Sequence, residues 1–282
     1  MKLRKYLLIC ILIFLSFFVI TPLWLLISGS LMGGQEAAQN FAPVLEGAQG
    51  SALWPLIPRY PTLQPLVELL LDTPQFFGMF WNSCAQVFPL VLGQVALGAP
   101  AAWAFARYDF RFKKALFLLY IVLMLMPFQV TMVSSYLVLD SLKLMDTMWA
   151  VILPGAAGTF PIFIMTRFFQ AIPASLTEAA AIDGAGPLQV FLRVGIPLGA
   201  PGILSAAVLG FFEYWNALEV PLTFLQDKSK WPLSLYLPAI SAENLGISLM
   251  ASVVMLTPAL LIFLYGQKYL EQGISAAGMK DL

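Results

Sequence analysis

Glu213, Tyr214, Trp215 and Asn216 place a carboxylate, two aromatic faces and an amide side by side. Aromatic faces stack on sugar rings, and carboxylates and amides exchange hydrogen bonds with hydroxyls, so the cluster has the chemistry of a polyol site. Glu213 is the one acidic residue within an otherwise apolar run, where a charge is costly and marks a water-filled path or a paired site. The other reading of the same residues is positional, because Trp and Tyr also mark the boundary between lipid and water. Gln129, beside Pro127, faces the same choice between lining a cavity and packing between helices. Bond-making chemistry has few candidates. Histidine is absent, which removes the side chain most suited to proton transfer near neutral pH. Cys10 and Cys84 both lie in apolar stretches and read as packing residues, with no disulfide framework. No metal-ligand cluster and no G-x-x-x-x-G-K-[ST] phosphate loop occur, so the chain is expected to bind neither metal nor ATP in the usual way.

The elements that must carry these residues are membrane helices. Hydrophobic residues make up 60% of the chain, charged residues 11%, and the mean hydropathy is +0.84. A soluble domain carries about 25% charged residues. With so few charges, lipid must take the place of much of the surrounding water. The 15 basic and 15 acidic side chains balance, so charge points to no nucleic-acid partner.

A helix needs about 20 mostly apolar residues to cross the hydrocarbon core. Six charge-free runs reach or approach that length: 6–35, 73–106, 115–139, 147–166, 194–212 and 244–267. The 231–242 run is shorter and holds Pro232 and Pro238, so it is expected to be loop. Pro22, Pro127, Pro154, Pro161, Pro201 and Pro258 fall inside the six runs and read as kinks in a bundle whose neighbours satisfy the freed carbonyls. The expected fold is all-α and membrane-integral. Residues 1–35 are the N-terminus and first span, 36–72 a loop, 73–267 a five-helix core and 268–282 a tail.

Basic residues orient the bundle. With the N-terminus inside, eleven of the 15 Lys and Arg fall on the inner side, and only Arg59, Lys143, Lys228 and Lys230 on the outer. Both termini are therefore expected in the cytoplasm. The first run is about twice the length of a signal-peptide core, so it reads as a retained span. The long stretch 32–72, rich in Pro, Gly and Gln, lies outside and reads as a docking surface or a tolerated insertion.

Between the fourth and fifth spans the spacing predicts a short helix, a turn and a second helix. Ser175 and Glu178 have capping-box spacing, and three alanines follow. Gly184 suits the left-handed position that ends a helix, and Pro187 suits a first helical position. Physics alone leaves a docking element and a plain structured loop equally open.

This segment resembles the signature loop of binding-protein-dependent ABC importer permeases: Glu-Ala-Ala, three residues, Gly, nine residues, Ile-x-Leu-Pro. Here it reads Glu178-Ala179-Ala180, Gly184, then Val194-Gly195-Ile196-Pro197. Further stretches are similar to the carbohydrate-uptake branch, near the maltose-type second permease. They include Asn82-Ser83, Ala104-Phe105-Ala106-Arg107, Trp149 to Pro154, Trp215-Asn216 and Pro221-Leu222, and the tail Gln272 to Gly278 follows with a different Ala/Gly order. The resemblance implies a coupling helix on the cytoplasmic side. Glu178 would meet a basic residue of an ATPase subunit, and Ala179, Ala180, Asp183 and Gly184 would lie at the contact. It implies that Gln272 and Gly273 reach the ATPase. It also implies a second homologous permease, two ATPase subunits that carry ATP and magnesium, and an extracytoplasmic solute-binding protein that delivers a sugar or oligosaccharide. The setting would be the cytoplasmic membrane of a bacterium or archaeon. Other cargoes on the same scaffold, such as glycerol phosphate or a polyamine, and an ion-coupled secondary carrier are the alternatives.

Overall fold

The computed structural model describes residues 2–45, 51, 55–236 and 244–278. The regular elements there are all helical, and extended pairing is limited to an isolated bridge between Met32 and Pro61. The α-helices are α1 Lys2–Ser30, α2 Gly34–Leu45, α3 Gln64–Val67, α4 Pro74–Arg107, α5 Lys113–Leu125, α6 Phe128–Ser141, α7 Trp149–Ala156, α8 Thr159–Ala171, α9 Ala174–Ile182, α10 Pro187–Val190, α11 Ile196–Trp215, α12 Glu219–Phe224 and α13 Leu245–Gly278. Wider π-type turns, Glu68–Asp72 and Phe191–Gly195, follow α3 and α10.

By length and composition alone, five stretches can cross a membrane: Leu8–Ser30, Pro74–Arg107, Trp149–Ala171, Pro187–Trp215 and Leu245–Gln272. The expected run 115–139 is instead two helices, α5 and α6, that meet at 105°. Pro127 is the cause. It lacks an N–H and disfavours the helical conformation of the residue before it, and Met126 is accordingly extended at φ −75°, ψ 125°. Counted as one bent span, the pair gives a sixth. The 147–166 run is likewise interrupted, at Ala157–Gly158 between α7 and α8. The last helix continues well past 267, to Gly278.

The chain divides into two units. One takes the residues up to Gly78 together with Tyr236–Pro258; the other takes Met79–Leu235 and the chain from Ala259 onward. In the first, the stretch after α1 is folded. The Leu31 carbonyl accepts from the Thr62 amide at 2.9 Å, and the Glu36 carboxylate accepts from the amides of Arg59 and Tyr60 at 2.8 and 3.3 Å. The Trp24 indole N–H donates to the Leu56 carbonyl at 2.8 Å. Met32, Ala37, Phe41 and Leu245 form the small core beneath. Residues 46–50 and 52–54 of the expected outer loop lie outside the described residues.

The larger unit is centred on an aromatic and aliphatic core from α4, α8 and α11. Trp103 meets Phe169 edge-on at 5.3 Å and Phe191 at 5.8 Å, and Phe105 contacts Phe117 and Tyr120. Without a hydrophobic drive between lipid-bathed helices, close contact relies on small residues. A Cβ on Gly199 of α11 would lie 2.2 Å from the Phe169 ring. The C-terminal part of α13 packs against α11 in the same way: Gly266 faces Val208, and the Ser205 hydroxyl donates to the Tyr269 carbonyl.

Polar contacts fix the stretch after α12. Asp146, in the left-handed region at φ 56°, accepts from the amides of Gln226 and Asp227, each at 3.0 Å. The Lys230 ammonium reaches the Asp146 carboxylate at 3.1 Å and that of Asp227 at 3.5 Å. The Asn82 amide donates to the carbonyls of Ser229 and Trp231, Gln86 donates to that of Lys230, and the Ser83 hydroxyl accepts from the Leu233 amide. The Asp227 amide, then Lys230, hold the Asp146 carboxyl below its ordinary range, and the Ser229 hydroxyl and amide do the same for Asp227. Asp146 in turn raises Lys230.

Two outcomes follow from this packing. Gly199→Ala forces an added methyl against a fully buried ring and should cost about 1–3 kcal/mol, read as a lowered unfolding temperature of the detergent-solubilised protein. Gly78→Ala, inside α4 where a Cβ meets nothing within 4 Å, should not lower that temperature and should raise it slightly, because alanine is the better helix former. The second outcome concerns the Asp146, Asp227 and Lys230 contacts. Depressed carboxyls contribute above their ordinary value of 3.8 and lose that contribution as pH falls through their lower folded values. A raised lysine contributes below its ordinary 10.5 and loses it as pH rises through the higher folded value. Limited proteolysis of the 226–231 segment should therefore be flat between these limits, with protection lost only outside them, and Lys230→Met should raise cleavage across the whole range.

Candidate functional site

Three interruptions of the helices open onto one cleft of about 620 Å³. Met126 and Phe128 come from the α5–α6 bend, Pro154 to Pro161 from the α7–α8 break, and Asn216 to Val220 from the end of α11 and the start of α12. Irregular backbone at membrane depth is tolerated where it lines a cavity, and broken helices of this kind form the sites of many transporters.

Glu213, Tyr214 and Asn216 line this cleft. Glu213 and Asn216 are exposed, and the Asn216 amide donates to the Phe212 carbonyl at 3.0 Å, closing the last turn of α11. Trp215 does not join them. It is buried, stacked on Phe211 with ring centroids 5.2 Å apart, and edge-on to Phe80. Its spacing of four from Phe211 puts the two rings on one helix face, turned into the core. Gln129 also stands off the lining, but its amide donates to the Glu219 carboxylate at 2.6 Å, and Glu219 is a lining residue.

Among the lining residues that sequence reasoning missed are Glu219 and Gln94. Glu219 lies three residues beyond Asn216 in the short helix α12. Gln94 is a polar residue in the middle of α4, and that interruption of an apolar run was the available signal. It is 2% exposed, and its Nε2 donates to the Gly155 carbonyl at 3.0 Å, while its Oε1 has no partner. Gly210 makes room for it: a Cβ there would lie 2.3 Å from the Gln94 Oε1.

The second cluster is the α9 segment. Gly184 takes φ 85°, the Ala185 amide donates to the Ala180 carbonyl, and the Gly184 amide donates to that of Ala181. This is the Schellman ending that the glycine predicts. Pro187 opens α10, with the Gly186 amide donating to the Gln189 side chain at 3.1 Å. The start differs from expectation. The helix begins at Ala174 behind Pro173, Ser175 lies inside the first turn, and no side chain caps it. Pro173, at φ −58° and ψ 134°, sets the entry instead. Arg107 fixes the residue before it, donating to the carbonyls of Phe169 and Ile172 while its guanidinium lies 5.4 Å from the Trp103 ring.

None of α9 is buried. Glu178, Ala179 and Asp183 are exposed, and Ala180 packs partly against the core. Leu176, Ile182 and Leu188 add exposed aliphatics, with Ile182 at 87% exposure. An isolated helix of nine residues is marginal in water, so the Schellman turn, Ala180 and the Arg107 anchor must hold it. At the chain's other end, Gln272 and Gly273 lie in α13, with Gln272 exposed. Residues 279–282 lie outside the described residues. No group of three or more His, Cys, Asp or Glu that could hold a metal occurs among the described residues.

Known proteins match this arrangement. Residues 94–276 match the family described as the binding-protein-dependent transport system inner membrane component. A probable ABC transporter permease protein of Pyrococcus horikoshii is 32% identical, over 79% of this chain and 83% of its own length. An arabinooligosaccharides transport system permease protein of Halalkalibacterium halodurans is 25% identical over 95% and 93%. A polygalacturonan/rhamnogalacturonan transport system permease protein of Bacillus subtilis is 31% identical over 69% and 74%. A crystal structure of a bacterial ABC transporter involved in the import of alginate has the same fold, with a TM-score of 0.79, 20% identity, and coverage of 95% of this chain and 96% of that one. The chain belongs to the family of inner-membrane permeases of binding-protein-dependent ABC transporters, whose ATPase is a separate subunit.

Proposed function

We propose that this chain is one permease of an ABC importer for a sugar or oligosaccharide, with α9 as the helix that couples it to the ATPase. The observation that carries the coupling role is that α9, entered beside the Arg107 anchor and closed by the Gly184 turn, leaves its own surface unburied. Exposed aliphatic side chains beside a carboxylate suit a partner groove with a basic residue. Glu178 would meet that basic residue, with Ala179, Ala180, Asp183 and Gly184 allowing close approach. Because Arg107 ties the entry of α9 to α4, motion of the docked helix is passed to the spans that frame the cleft.

The sugar assignment is supported by relatives named for arabinooligosaccharides, polygalacturonan/rhamnogalacturonan and diacetylchitobiose, and by a cleft lined with carboxylate, amide and phenol groups. In this reading the bent pair α5–α6 is one of six spans, both termini are cytoplasmic, and Gln272 and Gly273 approach the ATPase. A second homologous permease completes the path, and two ATPase subunits hold ATP and magnesium. The solute is delivered by an extracytoplasmic solute-binding protein. The folded stretch after α1 offers it a surface, with a cleft of about 740 Å³ lined by Gly33, Glu36, Tyr60 and Gln64.

Glu178→Ala should leave membrane insertion intact and lower substrate-stimulated ATP hydrolysis and uptake in proteoliposomes about tenfold, a coupling loss of roughly 1.4 kcal/mol. Unchanged uptake would rule out the coupling role. Ile182→Asp buries a charge in the proposed groove and should abolish co-purification of the ATPase. Retention of the ATPase in equal amount would place the contact elsewhere.

A further inference from the structure

The charged side chains of the cleft are all acceptors. Glu213 and Glu219 supply two carboxylates, and no Lys or Arg occurs among the lining residues. Glu213 forms no ion pair among the described residues, and Glu219 accepts from the uncharged Gln129 amide at 2.6 Å. Neither carboxylate is therefore paired with a cation among the described residues.

Gln94 makes the same point independently. It lines the cleft at 2% exposure, and its Oε1 is a buried acceptor without a donor. Buried polar atoms are nearly always paired, and an orphan beside a binding cleft asks for a donor. The other lining amide side chain, that of Asn216, donates to the Phe212 carbonyl. A guest rich in hydroxyl or ammonium hydrogens matches such a surface. A guest bearing carboxylates brings more acceptors and like charge into a partly desolvated space.

We propose that this cleft passes saccharides without carboxyl groups, neutral or amino-bearing, and rejects uronates. The proposal rests on the reading of the chain as a saccharide permease and narrows its cargo. Like charges juxtaposed in a binding site are strongly disfavoured, and a guest in the cleft would lie well within the Debye length of about 8 Å at physiological salt. The similar fold of a transporter involved in importing alginate, an acidic polysaccharide, does not carry its cargo with it.

The test uses the complete transporter in proteoliposomes, with the second permease, the ATPase subunits and the binding protein. Trimers of galacturonate, glucuronate and mannuronate are each compared with their carboxyl-reduced counterparts, reading uptake and stimulation of ATP hydrolysis. The neutral member of whichever pair is accepted should be favoured by roughly tenfold or more. The Glu213→Gln/Glu219→Gln double variant should narrow that ratio at least about threefold. Equal or greater uptake of the uronate overturns the proposal, as does an unaltered ratio in the double variant, which assigns the selection to another subunit. If no saccharide is accepted and another solute is, the saccharide reading falls by itself. The charge rule is then judged on that solute: an anion overturns it, a neutral molecule or a cation upholds it.

Discussion

A peptide group in hydrocarbon must find its hydrogen-bond partner within the protein, and this constraint arranges nearly everything else in the chain. Continuous helices meet it without help. Interrupted helices do not, so the interruptions have to be gathered where other polar groups or water can reach them. The bend at Met126–Pro127, the break at Ala157–Gly158 and the end of α11 at Asn216 all open onto the same cleft. The Gln94 amide donates to the Gly155 carbonyl beside one of these breaks, and Asn216 closes another. The polar residues that would line a path are thus also the ones that make the broken backbone tolerable. Site and scaffold share the same side chains.

The same accounting governs the other end of the bundle. The last carbonyls of α8 lack intrahelical donors, as at every helix end. Arg107 supplies donors to Phe169 and Ile172 while its guanidinium stays over Trp103. A cation at a helix C-terminus is also favoured by the helix dipole. The arginine therefore satisfies α8, anchors α4 and fixes the direction in which the chain enters α9. A helix of nine residues with no buried side chain would otherwise have little reason to persist.

Local chemistry was legible in the sequence wherever one residue decides the conformation. Gly184 and Pro187 set the turn after α9 and the start of α10 as their types require. Proline inside the 115–139 run pointed to a kink, although only the structure gives its 105°. Where two signals competed, the stronger one won: Pro173 set the entry to α9, and the weaker Ser175–Glu178 spacing went unused. Features that depend on distant segments were hidden. Trp215 looked like a sugar platform beside Tyr214, but its spacing of four from Phe211 places both in one buried stack. Gln94 acquires meaning only when Gly155 and Gly210, far along the chain, close around it. The composition of the stretch after α1 suggested a docking surface or a tolerated insertion, and gave no sign of the hydrogen bonds from the Arg59 and Tyr60 amides to Glu36 that tie it down.

The first helix stands apart from these constraints. Its candidate span, Leu8–Ser30, has none of its hydrophobic window buried inside the protein, and the family match begins only at residue 94. Its side chains answer to lipid, which measures hydropathy and is indifferent to shape. At Gly199 even one additional carbon has no room. Along the exposed part of the N-terminal span, Leu, Ile, Phe and Val can replace one another at little cost. Over evolutionary time the two regions should drift under different rules. α11 would be held by steric fit and slow to change, while α1 would be rewritten freely so long as it stays greasy and long enough to cross.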